Sequence, residues 1–378
     1  MKKEEKALHK INHLLSGSGV EVNGPNPWDI RIEPQFLVPL YYRVIRYGSL
    51  GLGEAYMDGW FNCEKLDEFF TKILNANLDK KINPWRIAFS YLGAILFNPQ
   101  TRSGSTKVAR DHYDLSPELY ESFLDPYNQY TCGYFKNTDA LGVAQEQKLH
   151  LICQKLKLTP EDHVLDIGCG WGGFAKFASK NYGCRVTGVT ISSEQAEYAR
   201  NFTSGLPVTI IQMDYRDLEK EKFSKIVVCG MIEHVGYKNH REFMKIVHKS
   251  LADGGLFLLH TIGELKSVTH SEPWLGKYIF PNSMVPSIKQ IAKASEGLFT
   301  IHDLHNFGPR HYDKTLMAWY RNFKRNWDKV KSDYYDERFY RMWEYYLLSS
   351  AASFRSRKSQ LYQFVLSKNL TGEYFPVR

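Results

Sequence analysis

Five polar side chains of this chain lie at or just after the carboxyl ends of stretches that the sequence pattern predicts to be strands. They are Asp166, Thr190, Asp214, Glu233 and His260. Ligands of parallel sheets bind at the carboxyl ends of the strands, so five polar groups at such ends together indicate a ligand site. A carboxylate is costly to bury without a partner, which favours a functional role for Glu233. His260 alone would fit a satisfied core histidine equally well.

Glycines form the densest motif of the chain. The stretch Val164–Gly173 reads Val-Leu-Asp-Ile-Gly-Cys-Gly-Trp-Gly-Gly, which predicts a buried strand, a tight turn and a helix. Gly168 and Gly170 carry no Cβ, so the backbone can turn sharply there and approach a ligand. The amide groups at the start of the next helix would face the same ligand. The order differs from the G-x-G-x-x-G of dinucleotide-binding folds, and it favours an adenosyl ligand without a pyrophosphate over an ordinary glycine turn.

The turns after the second and third predicted strands carry further candidates for ligand contacts. Many adenosyl-binding sheets have an acidic residue after the second strand for the ribose hydroxyls, but this chain has Thr190. Gln195 has both a donor and an acceptor for that role, although Ser192 and Gln195 fit a helix capping box equally well. Asp214 and Tyr215 suit an adenine amino group and its ring, or an ordinary polar loop.

Strands and helices alternate in the second part of the chain, which predicts an α/β fold with a doubly wound, mainly parallel sheet. A helix from Leu141 to Leu156 leads into the glycine motif. The seven predicted strands are Val164–Ile167, Arg185–Ile191, Val208–Met213, Ile226–Met231, Leu256–Ile262, Phe299–Leu304 and Leu361–Leu366.

The first hundred residues predict a smaller, mostly helical N-terminal domain. Helical patterns cover residues 4–17, Leu66–Leu78 and Ile87–Phe97. The polar, short-sided stretch Asn98–Thr106 is typical of a linker. We therefore predict an N-terminal domain at residues 1–100, a linker at 101–110 and a catalytic domain at 111–378.

The composition is that of an ordinary soluble protein with an excess of basic residues. The 378 residues carry a formal net charge of +8, which favours a polyanionic partner such as nucleic acid or an anionic membrane surface. Six cysteines without a C-x-x-C pair fit reduced thiols in a cytoplasm, and the charged start Met1–Lys6 contains no apolar export signal. The run Ile87–Phe97 is too short to span a bilayer, and the histidines show no metal-ligand spacing.

The last segment combines basic and aromatic residues. Between Arg310 and Arg378 there are 14 Lys and Arg but 7 Asp and Glu, with Trp and Tyr residues among them. This mixture suits an anionic lipid surface or single-stranded nucleic acid. Trp319, Phe323 and Trp327 recur every four residues, so part of the segment predicts a helix that packs against a core.

These features together resemble the bacterial cyclopropane-fatty-acyl-phospholipid synthases over nearly the whole chain. Besides the glycine motif, the matching stretches are Gly48–Trp60 (GSLGLGEAYMDGW), His112–Leu115 (HYDL), Tyr130–Cys132 (YTC), Gly188–Ser192 (GVTIS), Glu233–Gly236 (EHVG), Leu259–Gly263 (LHTIG), Tyr278–Pro281 (YIFP) and Thr315–Tyr320 (TLMAWY). The glycine motif alone would indicate only a methyltransferase, whereas the set that includes the N-terminal motif is specific.

The resemblance implies a class I S-adenosylmethionine methyltransferase fold and transfer of a methylene group to the cis double bond of an acyl chain in a membrane phospholipid. The cofactor would be bound by Tyr130, Thr131, Asp166, Gly168, Gly170, Thr190, Gln195, Asp214 and Tyr215. A bicarbonate ion, which lies beside the sulfonium methyl group in this family, would be held by Cys132, Glu233, His260, the backbone of Ile262, and Tyr312. The aromatic side chains that would stabilise a carbocation are Tyr134, Phe135, Tyr278, Phe280 and Trp319.

The resemblance further implies a homodimer whose N-terminal domain serves dimerisation and lipid handling. It places the enzyme in the cytoplasm, peripherally bound to the inner face of the cell membrane and not to nucleic acid. Two positions depart from the family. Ser350 stands where some relatives have Cys, which argues that no thiol is needed there, and Phe135 stands where several have Trp, which could alter the acyl pocket.

Other functions fit parts of the same pattern. Water or a hydride could quench the carbocation and give a hydroxylated or methyl-branched chain. The catalytic part also resembles some small-amine N-methyltransferases, although a basic, aromatic C-terminal segment does not suit a small amine. A catalytically idle lipid-binding protein would not need the set formed by Asp166, Glu233, His260 and Cys132. A nucleic-acid methyltransferase fits the charge but would carry an N-P-P-Y-type motif, which this sequence lacks.

Overall fold

The computed structural model describes residues 3–78, 115–218 and 221–378. The helices are α1 (Lys3–Leu15), α2 (Pro34–Tyr47), α3 (Ser49–Met57), α4 (Leu66–Asn75), α5 (Pro117–Phe123), α6 (Leu141–Lys155), α7 (Gly173–Tyr182), α8 (Ser193–Phe202), α9 (His240–Ser250), α10 (Pro273–Tyr278), α11 (Ile288–Ser295), α12 (Pro309–Val330) and α13 (Glu337–Arg355). The strands are β1 (His163–Ile167), β2 (Arg185–Thr190), β3 (Val208–Gln212), β4 (Phe223–Cys229), β5 (Leu251–Glu264), β6 (Thr300–Phe307) and β7 (Ser359–Ser367).

The predicted helix at Ile87–Phe97 and the linker lie outside the described residues. The division into an N-terminal domain at 1–100, a linker at 101–110 and a catalytic domain at 111–378 therefore stays a prediction. The described N-terminal part, residues 3–78, is mostly helical, as the sequence pattern indicates.

All seven strands form one sheet in the order β3-β2-β1-β4-β5-β7-β6. The first five strands run parallel, whereas β7 is antiparallel to both β5 and β6. The central strands are covered on both faces and therefore read as continuous apolar runs; Leu165 and Ile226, which pair across β1 and β4, have no exposed surface. Each predicted strand is confirmed, with bounds that differ by up to three residues except in β5, which begins at Leu251 and not at Leu256.

The two long helices of the C-terminal segment, α12 and α13, pack against each other. Trp319, Phe323 and Trp327 lie on the inner face of α12, where they are between 0% and 9% exposed. Apolar residues at a spacing of four fall on one face of a helix, and this prediction is confirmed. Most aromatic side chains of this segment are therefore core residues; Tyr334, which is 73% exposed, is an exception. The basic side chains of α12 face outward.

Polar contacts join the N-terminal helices to the part of the chain that carries the sheet. Arg355, at the end of α13, donates to both carboxylate oxygens of Asp313 (Nε–Oδ2 3.0 Å, Nη2–Oδ1 2.8 Å) and to Asp67 of α4 (Nη1–Oδ2 2.8 Å). Tyr56 of α3 donates a hydrogen bond to Glu344 of α13. Because paired carboxylates hold a guanidinium in a set orientation, α4 is fixed against the end of α13. No helix within the three described ranges is both long and apolar enough to cross a membrane.

Candidate active site

A cavity of about 1060 Å³ lies at the carboxyl ends of the central strands. The glycine turn and the ends of β1, β2, β4 and β5 form one wall, α12 and α13 form a second, and α1, α2 and α4 enclose the remaining side. All of the predicted site residues line this cavity except Cys132. Parallel topology explains the convergence, because it brings the carboxyl ends of all these strands to one edge.

The glycine turn between β1 and α7 is left-handed at alternate positions. Gly168, Gly170 and Gly172 have φ values of +80°, +52° and +83°, which residues with a Cβ rarely adopt. A Cβ on Gly168 would lie 2.7 Å from the side chain of Met231, whereas a Cβ on Gly170 would meet no atom within 4 Å. Gly170 is therefore needed for its backbone conformation alone, and open space for a ligand lies beside it.

The segment that carries Tyr130 and Thr131 is held close to this turn by its own hydrogen bonds. Both carboxylate oxygens of Asp125 accept from backbone amides, those of Tyr127 and Gln129. A Cβ on Gly173 would lie 1.8 Å from the carbonyl oxygen of Tyr127, so only glycine lets the segment lie on the first turn of α7. Residues 128–131 of this segment are thus a fixed part of the cavity wall.

A buried lysine, which was not predicted as a site residue, holds this segment by hydrogen bonds. Lys148 of α6 has no exposed surface; its Nζ donates to Thr131 Oγ1 at 2.9 Å and to Gln129 Oε1. Burial lowers the pKa of Lys148 because the interior disfavours the ammonium ion. A charged residue on the apolar face of the predicted helix Leu141–Leu156 was the signal that could have identified it.

Asp166 and the turn after β2 offer polar atoms to the cavity. Asp166 is buried, and its Oδ2 has no hydrogen-bond partner within the described ranges; burial raises its pKa to about 7. Ser192 Oγ accepts from the amide of Gln195 at 3.2 Å and caps α8. The Gln195 side chain does not complete the capping box, because its Oε1 accepts from Thr190 Oγ1 at 2.9 Å. The helix cap and a cavity-facing Gln195 are therefore compatible.

Asp214 and Tyr215 lie where the chain leaves β3. Asp214 Oδ1 accepts from both the backbone amide and the Nε of Arg216, each at 2.9 Å. The Tyr215 ring packs edge-on against Phe243, with 5.2 Å between ring centroids. Both residues line the cavity, and the Arg216 contacts orient the Asp214 carboxylate.

Glu233 and His260 are two further buried polar residues of the cavity wall. Glu233 Oε1 accepts from the amide of Ile262 at 2.8 Å, while its Oε2 has no partner among the described residues. His260 Nδ1 lies 3.0 Å from Gln363 Nε2; the amide nitrogen can only donate, so the proton of the neutral ring is on Nε2. This Nε2 also has no partner in the described part of the chain.

Burial acts on Glu233 and His260 in opposite directions. It raises the pKa of Glu233 to about 7 and holds the pKa of His260 well below its usual range, because a low-dielectric site disfavours both charged forms. The pair thus presents one unpaired acceptor and one unpaired donor to the cavity. Gln363, which sets the His260 tautomer, is a fully buried polar residue within an apolar strand, and that pattern was its only signal in the sequence.

Cys132 and Tyr312 lie on either side of the cavity boundary. The Cys132 thiol is fully buried and receives a hydrogen bond from Thr315 Oγ1 at 3.8 Å; burial raises its pKa, which keeps it protonated. Its assignment to the catalytic set stays a prediction. Tyr312 lines the cavity, and its ring stacks on Phe354 with 4.2 Å between centroids.

Facing the sheet edge is a set of rings that we call the aromatic wall: Tyr130, Phe280, Tyr312, Tyr346 and Phe354. Hydroxyl groups of this wall bond to each other, with 2.9 Å between the oxygens of Tyr130 and Tyr346. Of the rings predicted to stabilise a carbocation, Phe280 lines the cavity. The other four, Tyr134, Phe135, Tyr278 and Trp319, do not, because their rings are used in packing outside it.

Comparison with known proteins agrees with this geometry. The family model for mycolic acid cyclopropane synthetase matches residues 100–364. A cyclopropane-fatty-acyl-phospholipid synthase of Escherichia coli (strain K12) is 48% identical over 361 residues, which cover 95% of this chain and 93% of that protein.

Solved structures give the same result. A crystal structure of the mycolic acid cyclopropane synthase CmaA1 complexed with SAH and CTAB has a TM-score of 0.64 and 29% identity, covering 70% of this chain and 98% of that one. Coclaurine N-methyltransferase, bound to N-methylheliamine and SAH, has a TM-score of 0.66 at 20% identity, covering 84% of this chain and 99% of that one, and this likeness shows the fold alone.

The fold is therefore that of the class I S-adenosylmethionine-dependent methyltransferases. The chain belongs to the mycolic acid cyclopropane synthetase family, and it is an S-adenosylmethionine-dependent cyclopropane synthase. The resemblance that the sequence motifs indicate is confirmed.

Proposed function

We propose that the protein transfers the methyl carbon of S-adenosylmethionine to the cis double bond of an acyl chain in a membrane phospholipid and closes it into a cyclopropane ring. The observation that carries this proposal is the continuity of the cavity. A polar sheet edge suited to a charged cofactor and apolar helices suited to an acyl chain enclose the same space.

The cofactor side would be formed by the glycine turn and the strand ends. Asp166, whose Oδ2 has no partner among the described residues, and the open backbone beside Gly170 fit a ligand that carries an amino group and a carboxylate. Gln195 and Asp214 would contact the ribose and the adenine. When bound, S-adenosylmethionine supplies an electrophilic methyl group on a sulfonium; the residues named here bind and orient it.

The acyl side is built by the N-terminal helices together with α13. Its apolar lining includes Leu40, Val44, Phe69, Phe70, Ile73 and Leu74. An alkene is a weak nucleophile, so a productive site must hold it close to the methyl group and exclude water. Enclosure by α1, α2 and α4 meets that need, which supports a lipid-handling role for the N-terminal part.

The aromatic wall suits the carbocation that attack by the alkene would leave on the acyl chain. Aromatic faces attract a cation through their quadrupole without forming a bond to it. Burial raises the pKa of Tyr130 and Tyr312 well above the usual range, so their hydroxyls stay neutral and do not compete as phenolate nucleophiles.

Glu233 and His260 fit a bicarbonate ion. Glu233 Oε2 would accept from its hydroxyl, and His260 Nε2 would donate to one of its other oxygens, so both orphaned atoms would gain a partner. Bound bicarbonate would supply a base for the proton that must leave as the ring closes. The chain's own groups orient that base, because Ile262 and Gln363 fix the two side chains.

The +8 net charge supports work at an anionic membrane surface. By resemblance to the family, the protein would be a homodimer at the inner face of the cytoplasmic membrane. Sedimentation equilibrium tests the dimer; a monomer at micromolar concentration would contradict it.

The reaction is tested with purified protein, S-adenosylmethionine and vesicles of cis-monounsaturated phospholipid, followed by mass spectrometry of the acyl chains. We expect a gain of one methylene group with loss of the double bond. A branched or hydroxylated chain would change the quenching step, and unaltered lipid despite cofactor binding would overturn the proposal in favour of a small amine substrate.

A further inference from the structure

Two short segments at the cavity opening carry exposed apolar and basic side chains side by side. Leu265 and Lys266 follow β5, and Ile288 and Lys289 form the first turn of α11. We call these four residues the mouth rim. Leu265 is 68% exposed and Ile288 38%, and both lysines are exposed. The rim therefore presents aliphatic surface to solvent with an ammonium group next to each aliphatic side chain.

The mouth rim is held as one rigid surface. Ser267 Oγ and Ser287 Oγ lie 2.8 Å apart, and the amide of Glu264 donates to the carbonyl of Pro286 at 3.0 Å. Gln290 Nε2 donates to the carbonyl of Val268 at 2.8 Å, and Ser287 with Gln290 forms a capping box. The two segments are thus tied on both sides of the exposed side chains, so ordering them on a partner costs little conformational entropy.

The mouth rim is continuous with the proposed acyl cavity. Leu265 and Lys266 line that cavity, and they also line the adjoining groove together with Ile288 and Lys289. Neither the Lys266 side chain nor the Lys289 side chain has a hydrogen bond or an ion pair with another residue in the described ranges. Both charges are therefore available to an external anion at the point where the cavity opens.

We propose that the mouth rim is the surface by which this protein docks on an anionic bilayer. Leu265 and Ile288 enter the interfacial region, and Lys266 and Lys289 pair with lipid phosphates. Aliphatic side chains beside lysines bind anionic interfaces through burial and charge together. The inference rests on the proposed function, since docking here places the opening of the cavity against the lipid that supplies the acyl chain.

The basic face of α12 is a less suitable surface. Arg321, Lys324, Arg325 and Lys329 face outward, but the aromatic side chains of this helix point into the core. This face can attract an anionic surface, yet it has no apolar side chain to insert. Charge without insertion gives a weak attraction that salt screens. The two surfaces therefore predict different effects of matched substitutions.

The experiment measures binding of the full-length protein to vesicles that contain a quarter anionic phospholipid, by sedimentation at constant salt. We expect the double variant Lys266→Gln with Lys289→Gln to bind about thirtyfold more weakly, as the loss of two interfacial charges implies. The matched control, Lys324→Gln with Arg325→Gln, removes the same charge from α12 and should bind within about twofold of the unsubstituted protein. Equal losses in both variants, or a larger loss in the control, would overturn the inference.

A second pair of variants tests insertion. Leu265→Ser should weaken vesicle binding about fivefold, whereas Phe375→Ser, at a side chain that is 69% exposed away from the cavity, should leave it unchanged. Circular dichroism and S-adenosylmethionine binding verify that each variant is folded. Because vesicle binding is read without turnover, absence of cyclopropane product would refute the proposed reaction while the docking result stands by itself.

Discussion

The sheet edge and the aromatic wall face each other across one cavity, and they are built by opposite means. The sheet edge presents three buried polar atoms without partners among the described residues, on Asp166, Glu233 and His260. The five side chains of the aromatic wall carry no charge, and the hydroxyls of Tyr130 and Tyr346 satisfy each other. One wall is prepared for charged ligands and the other for an apolar chain that becomes cationic.

The difference shows where the fold bears a cost for function. An unpartnered polar group in the interior costs about 1–3 kcal/mol, and the sheet edge has several. A bound cofactor and anion would offset this cost by supplying the missing partners. The aromatic wall gains stability from ring packing in the absence of any ligand. Substitutions in the two walls should therefore differ in their effects on turnover and on stability.

The largest effect is expected on the sheet edge. Glu233→Gln should lower kcat by about 10³-fold or more, because a neutral amide accepts a hydrogen bond from bicarbonate more weakly than a carboxylate does. Base catalysis contributes about 10²–10⁴-fold. His260→Ala should have a similar effect. S-adenosylmethionine binding, measured by calorimetry, should change little. The control is Glu264→Gln, another carboxyl whose pKa burial raises to about 7, which we expect within about threefold of full activity. Full activity of Glu233→Gln would remove the assignment of a bicarbonate site.

A smaller effect is expected on the aromatic wall. Tyr312→Phe keeps the ring on Phe354 and removes the hydroxyl, whereas Tyr312→Leu removes the ring as well. We expect kcat to fall about tenfold in Tyr312→Phe and about a hundredfold in Tyr312→Leu, since a ring contact with a desolvated cation contributes about 2 kcal/mol. Tyr320→Phe, whose hydroxyl bonds to Glu344 at 2.6 Å outside the cavity, is the control. If the Phe and Leu variants had the same kcat, the ring would have no role in stabilising the cation.

The smallest expected effect concerns stability and separates the two walls without any turnover. Burial raises the pKa of Glu233 from 4.5 to about 7. The neutral form is therefore favoured in the folded state, and the resulting stability is present below pH 4.5 and lost as the pH rises through 7. The quantity to compare is the thermal midpoint at pH 8 minus the thermal midpoint at pH 5. We expect this difference to be about 2–4 °C higher in Glu233→Gln than in the unsubstituted protein. Tyr312→Phe keeps Glu233 and should therefore show the same dependence of the thermal midpoint on pH as the unsubstituted protein; identical profiles for all three proteins would contradict the assigned pKa shift.

Much of the fold and of the sheet edge could be predicted from the sequence. The seven strands are recognisable because central parallel strands are buried on both faces and read as apolar runs. Asp166, Glu233 and His260 interrupt such runs at their carboxyl ends, where a polar residue has few structural reasons to be. Local chemistry, namely the glycines of the turn, was enough to indicate the ligand class.

Contacts between distant parts of the chain were decided only by the tertiary structure. Three hydrogen-bonded pairs are examples: Tyr130 with Tyr346, Gln363 with His260, and Lys148 with Thr131. No spacing in the sequence predicts these pairs. The same holds for the basic C-terminal segment, in which periodicity predicts a helix with one buried aromatic face but cannot show which element that face packs against. Periodic patterns report which face of an element is buried, whereas the partner across that face depends on how the elements pack. The sequence by itself therefore determined the sheet and its polar edge, and only packing decided the opposite wall and the surface around the opening of the cavity.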